Sequence, residues 1–244
     1  MSGKLQPGLA DLLAYLGEMG YGDLYLDSSL EKAPAGQAAP GAPPRVTIAD
    51  GETTERAAEL AALAATVAGC TRCRLCEGRN RVVFGTGNPD ADLMFIGEGP
   101  GAEEDRQGLP FVGAAGELLT RIIQAIEMTR DEVYIANVVK CRPPGNRDPQ
   151  PDEVAACRGY LERQIALVRP RVIVALGRVA AQTLLGNDAP IGRMRGQWFR
   201  VQGVPTMVTY HPAALLRNSA LKRPTWEDMQ QVRDFLQSGS SGSS

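Results

Sequence analysis

The stretch RVIVALGRVAAQTLLG, residues 171–186, decides the fold, because its hydrophobic period changes halfway along. Its first part, RVIVALG, is short, β-branched and almost continuously apolar, which is typical of a strand buried on both faces. Its second part carries apolar residues at spacings of three and four, which predicts a helix over 178–186. A buried strand followed directly by a helix indicates a parallel sheet with helices packed on its faces.

The same alternation recurs along the chain. Further strands are predicted at DLMFIG (92–97), VYIANVV (133–139) and VPTMVTYH (204–211), and further helices at 52–69, 116–128 and 151–168. With right-handed crossovers these elements give an α/β three-layer sandwich around a central parallel sheet of about four strands. In such a sheet, ligands bind beyond the carboxyl ends of the strands.

The residues before this alternation form separate segments. An amphipathic stretch at 9–26 predicts an N-terminal helical appendage over residues 1–27, and the run APAGQAAPGAPP (33–44) predicts a flexible linker over 28–50. The main domain then covers 51–237, and SGSSGSS predicts a flexible tail over 238–244.

Composition narrows the location and the partners. No apolar run of about 18 residues and no signal peptide is found, so we expect a cytoplasmic protein without a membrane partner. Residues 1–66 hold 4 basic and 9 acidic side chains, whereas residues 67–244 hold 22 basic and 19 acidic. Of those 22 basic residues 20 are arginine, which suits phosphate contacts but is also a common surface residue.

The five cysteines predict a metal site, because clustered thiols in a reducing compartment favour metal binding. Cys70 and Cys73 form a C-x2-C half-site, and two further ligands must come from Cys76, Cys141 and Cys157. Cys141 ends the second predicted strand and Cys157 lies on the next helix, so both can lie near one strand end. Four thiolates suit either zinc or a [4Fe–4S] cluster, and spacing alone leaves the choice open. Buried structural cysteines are the alternative.

The loop after the first strand, GEGPGAEEDRQGLPFVG (97–113), suits a close backbone approach to a ligand. Its spacing differs from the dinucleotide fingerprint GxGxxG, and no helix is expected directly after it. Phe111 follows a proline and is a candidate stacking platform. The remaining candidates in this loop are Gly97, Gly99, Gly101, Glu98 and Glu104.

Polar residues also follow the second and fourth strands. Asn137 lies in an apolar run, where its amide needs partners and can recognise the edge of a planar ring. Arg142 and Arg147 flank a stiff turn and are candidate phosphate contacts. The single histidine, His211, ends the fourth strand. After it, Leu215 and Leu216 fit either helix core or a wedge inserted into stacked bases, with Arg217 on a phosphate.

Taken together, these blocks resemble the family 4 uracil-DNA glycosylases, the iron–sulfur branch of their superfamily. The resemblance covers about residues 67–237 and rests on CTRC, GEGPGAEEDRQGLPFVG, NVVKCRPPGNR, the later Cys157 and HPAALLRN, in that order. It implies monofunctional excision of uracil from single- or double-stranded DNA at the start of base excision repair. Relatives that trap DNA covalently carry an insertion after the second strand that PPGNRDPQPDE lacks, so hydrolytic turnover is expected.

The resemblance also implies roles for particular residues. It implies a [4Fe–4S] cluster on Cys70, Cys73, Cys141 and Cys157, which excludes Cys76. Asn137 would recognise the Watson–Crick edge of uracil, Phe111 would stack on its ring, and Glu104 would crowd the 5-methyl of thymine. His211 and the N–H groups of the glycine loop would stabilise the leaving uracil, with Glu98 or Asn146 positioning the water.

Two other classes of protein fit part of the pattern. One is a metal-stabilised nucleic-acid-binding module without catalysis, and the other is an iron–sulfur electron carrier, which would not need the Asn, Phe and His elements. We further expect a monomer, with residues 1–27 either recruiting a repair or replication protein or covering an apolar patch.

Overall fold

The computed structural model describes residues 50–238, and the predicted helix at 9–26 and linker at 33–44 lie outside the described residues. Within these described residues, six strands form one sheet: β1 (Thr86–Gly87), β2 (Leu93–Gly97), β3 (Tyr134–Asn137), β4 (Val172–Leu176), β5 (Trp198–Val201) and β6 (Val204–Thr209). Their order is β1-β3-β2-β4-β6-β5. The central four are parallel, and β1 and β5 pair antiparallel at the two edges.

The four parallel strands are the four that the sequence predicts. The two edge strands were not predicted, because β1 has two residues and β5 is only partly buried. β5 joins β6 through Gln202 and Gly203, whose φ values of 50° and 82° are those of a tight hairpin turn.

Helices cover both faces of the sheet. They are α1 (Asp50–Ala68), α2 (Leu75–Gly78), α3 (Ala102–Gln107), α4 (Ala114–Ala125), α5 (Pro151–Val168), α6 (Arg178–Leu185), α7 (Ile191–Met194), α8 (Pro212–Arg217) and α9 (Lys222–Ser238). The predicted helices at 52–69, 116–128, 151–168 and 178–186 correspond to α1, α4, α5 and α6. Ser238 belongs to α9, so the predicted tail cannot begin before 239.

Two hydrophobic cores confirm the three-layer arrangement. On one face, Ile96 and Ile173 pack with side chains from α1 and α5. On the other face, Phe95 and Val174 pack with side chains from α4 and α9. Alternate residues of β2 and β4 thus point to opposite layers, as the two-residue period of a strand requires.

Helix α1 leads the chain to Cys70 and is fixed to the rest of the domain by a buried arginine. Arg56 Nη1 donates to the Leu167 carbonyl at 2.6 Å, and Arg56 Nη2 pairs with Asp90 at 2.5 Å. Within residues 50–238, no helix combines the length and apolarity that crossing a bilayer requires.

Candidate active site and metal centre

A cleft of about 530 Å³ opens beyond the carboxyl ends of the parallel strands, where the sequence predicts it. Ten of the predicted site residues line it: Glu98, Gly99, Gly101, Glu104, Phe111, Asn137, Asn146, Arg147, His211 and Arg217. Four do not line it: Gly97, Arg142, Leu215 and Leu216. Segments far apart in sequence therefore meet at one sheet edge.

The amide of Asn137 lies at the bottom of the cleft with an unsatisfied oxygen. Asn137 is the last residue of β3 and is 1% exposed, yet its Oδ1 accepts no hydrogen bond within the described part of the chain. Such a buried orphan acceptor costs about 1–3 kcal/mol, which a ligand N–H can recover. A Cβ on Gly97 would lie 2.4 Å from this Oδ1 and 2.6 Å from Phe111 Cζ, so only glycine leaves the space open.

The ring of Phe111 forms one wall, in a backbone conformation that is unusual for its residue type. Its φ is 52°, and its ring centroid lies 5.5 Å from that of His211 with 31° between the planes. A bulky residue in the left-handed region persists only where its surroundings impose that conformation.

Glu104 holds that conformation through three backbone hydrogen bonds, and its predicted contact with the 5-methyl of thymine stays a prediction. Its Oε1 accepts the N–H groups of Val112 at 2.9 Å and Gly113 at 3.0 Å, and its Oε2 accepts the Gly101 N–H at 3.1 Å. The carboxylate thus ties the glycine loop to the segment after Phe111. It also occupies the Gly101 N–H, which is therefore unavailable to a leaving uracil.

His211 presents a neutral imidazole to the cleft. It caps α8, its Nδ1 accepting the Ala213 N–H at 3.1 Å, so the proton of the neutral ring lies on Nε2. Burial, followed by the positive charge of Arg217, lowers the pKa of His211 to about 4. At neutral pH the ring can therefore donate from Nε2 without carrying a charge.

Glu98 is the carboxylate most available to hold a water molecule. Burial and the negative charge of Asp148 raise the pKa of Glu98 to about 7, and Arg178 partly offsets this rise. Among residues 50–238, no hydrogen bond to its carboxylate is formed.

The second candidate for the water, Asn146, is already engaged. Its Oδ1 accepts a hydrogen bond from Arg142 Nε at 2.8 Å. The residue is exposed, and its backbone adopts a left-handed conformation with φ 55°. Arg147 forms a two-pronged pair with the fully buried Glu153, at 2.7 and 2.8 Å. Arg147 thus anchors its loop, and its predicted contact with a phosphate stays a prediction.

The two leucines after His211 divide between the alternatives that the sequence left open. Leu215 is 2% exposed and packs in the fold, so its assignment as a DNA contact is wrong. Leu216 is 53% exposed and can act as a wedge. A second exposed leucine, Leu109, lies two residues before Phe111 and was not predicted.

Two further cleft residues were missed. Arg178 and Asp148 form an ion pair on the cleft wall beside Glu98. Arg178 directly follows the Gly177 that ends the predicted strand, so the strand-end rule could have identified it.

The expectation of no helix after the glycine loop is also wrong, because α3 begins at Ala102.

All five cysteines line a second, small cavity between α1, the end of β3 and α5. Among the described side chains, Tyr160 donates to Cys70 Sγ at 3.4 Å and Arg79 donates to Cys141 Sγ at 3.4 Å. The backbone N–H groups of Leu75 and Lys140 also bond to Cys73 and Cys157. Arg79 also donates to the Cys70 carbonyl at 2.6 Å, which links the early and late cysteines. Hydrogen bonds to sulfur are typical of thiolate-held metal centres.

Burial opposes ionisation of the two late thiols, Cys141 and Cys157. Burial raises the pKa of Cys141 to about 11, although Arg79 counteracts it, and burial also raises the pKa of Cys157. Metal binding must therefore displace protons. Within the described residues, no three Cys, His, Asp or Glu side chains are arranged to hold a single metal ion. The donor set, five soft sulfurs with no histidine, fits an iron–sulfur cluster.

One short segment joins the cleft to the cysteine cavity. Beyond Asn137, the Val138 N–H donates to the Gly97 carbonyl at 2.9 Å and the Val139 N–H donates to the Glu98 carbonyl at 3.1 Å. Lys140, which is buried, donates to the Asn137 carbonyl at 2.8 Å. Cys141 follows directly, so the position of the Asn137 amide depends on the cysteine cavity.

Comparison with known proteins identifies the family. The Uracil DNA glycosylase superfamily profile matches residues 84–230, more than half of the chain. The chain belongs to the uracil-DNA glycosylase superfamily. Its similarity to type-4 members confirms the resemblance that the sequence motifs indicate. A type-4 uracil-DNA glycosylase of Thermotoga maritima is 46% identical over 173 residues, 68% of this chain and 89% of the relative.

The chain is also similar to other uracil-DNA glycosylases. A type-4 uracil-DNA glycosylase of Sulfurisphaera tokodaii is 44% identical over 178 residues, 69% of this chain and 81% of the relative. A type-5 uracil-DNA glycosylase of Thermus thermophilus is 32% identical over 152 residues, 48% of this chain and 69% of the relative.

Substitution Glu104→Ala tests whether the Glu104 carboxylate stabilises the loops of this glycosylase by bonding to their backbone N–H groups. It removes the acceptor of three backbone N–H groups, so we expect the free energy of unfolding to fall by about 1–3 kcal/mol and uracil excision to slow. Glu103→Ala is the matched control, because Glu103 is exposed and bonds only to Arg106 and Gln107 on the surface. Urea unfolding measures the stability of both variants. Equal losses of stability in the two variants would contradict this role of Glu104.

Proposed function

We propose that the protein is a monofunctional uracil-DNA glycosylase that hydrolyses the C1′–N1 bond of deoxyuridine in DNA, releasing uracil and leaving an abasic site. The observation that carries the proposal is the buried Oδ1 of Asn137, which has no hydrogen-bond partner among residues 50–238, beside Phe111 and a neutral His211. The names of the type-4 relatives support the same activity.

The cleft can take a base that has left the DNA stack. Extrusion of the nucleotide costs a few kcal/mol, least for a single strand or a mismatch, and the pocket then contacts the Watson–Crick edge of the base. In this proposal Asn137 Oδ1 accepts from uracil N3–H, and its amide donates to O4. Cytosine presents an unprotonated N3 and a 4-amino group, which mismatch both contacts. Phe111 stacks on the ring.

Departure of uracil leaves a negative charge that the protein must stabilise. His211 Nε2–H donates to uracil O2, and the Gly99 N–H is the loop donor that remains. One such donor in a water-excluded site can contribute about 3–4 kcal/mol to the transition state. A neutral histidine suits this role, because its unusually low pKa keeps the ring uncharged at the pH of the reaction.

Glu98 positions the water that attacks C1′ once the sugar gains oxocarbenium character. Its carboxylate is free of other hydrogen bonds within the described part of the chain, whereas Asn146 is bonded to Arg142. Around the cleft, four arginines contact phosphates: Arg142, Arg147, Arg178 and Arg217. Leu216 fills the space that the extruded nucleotide leaves.

The cysteine cavity would hold a [4Fe–4S] cluster on Cys70, Cys73, Cys141 and Cys157. The cluster would supply a rigid covalent link between the end of α1, the end of β3 and α5. A reducing, cytoplasmic location suits such thiolate ligands. We further propose that the protein acts as a monomer. A repair or replication partner for residues 1–27 stays a prediction.

Single-turnover incubation with labelled oligonucleotides tests the function. Each carries one uracil, thymine or cytosine, either in a single strand or opposite G or A, and alkaline cleavage then reveals abasic sites. We expect strand breaks at uracil only. Absence of breaks from protein that retains its cluster would contradict the proposal and favour a binding module without catalysis.

Asn137→Asp tests base recognition. A carboxylate cannot donate to O4 and repels it, so we expect uracil excision to fall about 100-fold or more, as for an unpaired buried contact. The ratio of the excision rate of uracil to that of cytosine should fall as well. Asn187→Asp, at an exposed amide, is the control and should excise uracil at the wild-type rate. If Asn137→Asp excised uracil at that rate too, Asn137 would have no part in recognition.

The pH dependence of excision tests Glu98. Protonation of a carboxylate with a pKa of about 7 removes the water-holding form, so the single-turnover rate should fall as pH drops below about 7. His211 does not contribute in this range, because it gains its proton only near pH 4.

Glu98→Gln should be slow at every pH and lose this dependence. Its stability gives an independent reading, because a raised carboxyl pKa in the folded state destabilises the fold above that pKa and has no effect below the unfolded value. Glu98→Gln should thus unfold at higher urea than wild type at pH 8 and at equal urea near pH 4. An unchanged pH profile of excision would exclude Glu98.

Cys141→Ala tests whether the cluster is structural. Loss of this ligand should abolish the brown chromophore and, with the Asn137 segment no longer held, abolish excision. Iron content, visible absorbance and single-turnover excision are measured on the same preparation. Full excision by colourless protein would refute the structural role.

A further inference from the structure

Cys76 lies in the same cavity as the four proposed cluster ligands, although a cubane with one cysteine on each iron needs only four. The cavity is lined by all five cysteines of the chain. Cys76 is half-buried, as are Cys70 and Cys73, so none of the three differs greatly in access to the cavity. The late ligands, Cys141 and Cys157, are buried on separate elements and have no neighbouring substitute.

The three early cysteines form two overlapping half-sites. Cys70-x2-Cys73 and Cys73-x2-Cys76 have the same spacing and share Cys73. A turn spans the second half-site, since the Cys76 N–H donates to the Cys73 carbonyl at 3.2 Å, whereas the turn that the Cys70 N–H closes on the Val67 carbonyl at 3.0 Å lies before the first half-site. Residues three apart in such a turn project to the same side, so Cys73 and Cys76 can face the cavity together, and Cys70 lines the same cavity.

Hydrogen bonding distinguishes the two outer cysteines. Tyr160 donates to Cys70 Sγ at 3.4 Å, whereas within residues 50–238 no donor reaches Cys76 Sγ. A donor stabilises thiolate character, so Cys70 is favoured as the ligand in the intact protein. Helix α2, which carries Cys76, is a single turn anchored by the buried Leu75, and it continues into Arg79 in extended conformation. A small rotation of this turn can move the Cys76 sulfur towards the position of the Cys70 sulfur in the cavity.

We propose that Cys76 is a reserve ligand that replaces Cys70 on the cluster when Cys70 is lost or modified. In the exchange, the Cys76 thiol loses its proton and its sulfur bonds to iron, while the iron–sulfur bond to Cys70 breaks. An intact Cys70 leaving in this way takes up a proton, and no electron is transferred. Cys73, Cys141 and Cys157 keep their places. This inference rests on the proposed [4Fe–4S] cofactor.

Serine substitutions test the exchange, because the overlap predicts an asymmetry between two neighbouring cysteines. Cys70→Ser should keep most of the iron, sulfide and visible absorbance of wild type, since the Cys73–Cys76 pair remains. Cys73→Ser is the matched control and should lose nearly all of the iron, sulfide and visible absorbance, because both cysteine pairs include Cys73. Cys76→Ser alone should retain the cluster, and Cys70→Ser/Cys76→Ser should lose it.

Iron and sulfide content, measured on anaerobically purified protein beside circular dichroism for folding, separates the outcomes. Cluster loss in folded Cys70→Ser equal to that in Cys73→Ser would overturn the proposal. Cluster loss in Cys76→Ser alone would also overturn it, by showing that Cys76 is the normal ligand. Wild-type protein that excises uracil but holds no iron would remove the cofactor and this inference while leaving the glycosylase activity established.

Discussion

The chemistry of this protein depends on one run of backbone, from Asn137 to Cys141, that is fixed from both sides. On one side, Val138 and Val139 extend the pairing of β3 with β2 by donating to the carbonyls of Gly97 and Glu98. On the other side, Cys141 enters the cysteine cavity. The amide of Asn137, proposed to recognise the base, and Cys141, a proposed cluster ligand, are thus four residues apart on a segment that has little freedom to move.

This arrangement gives the proposed cluster a structural function in an enzyme whose reaction is a hydrolysis. A buried amide with an unsatisfied oxygen is costly, and it retains its orientation only if the surrounding backbone is rigid. Lys140 adds to this rigidity through its bond to the Asn137 carbonyl.

Electrostatics in the cleft follow from burial more than from pairs of opposite charges. Desolvation is the largest cause both of the low pKa of His211 and of the high pKa of Glu98. The first keeps a hydrogen-bond donor neutral, and the second brings a carboxylate into the physiological titration range. The same dry surroundings strengthen each contact to a developing negative charge.

The sequence predicted the parallel strands because their apolar runs are continuous, and it predicted α1, α4, α5 and α6 because their apolar spacing is regular. It missed β1 and β5 because edge strands are short or half-exposed. Strand-end logic correctly grouped Glu98, Asn137 and His211. It could not show that Glu104 and Arg147 are occupied by partners within the fold, or that Leu215 faces the core, since these depend on tertiary contacts that no local pattern encodes.

Competition by free bases tests the central claim, recognition of uracil N3–H by the orphan oxygen of Asn137. Single-turnover excision from a uracil oligonucleotide is followed in the presence of added uracil or of 3-methyluracil, in which a methyl group replaces the N3 hydrogen. We predict that uracil slows excision and that 3-methyluracil at the same concentration does not. Equal inhibition by the two bases would contradict the account.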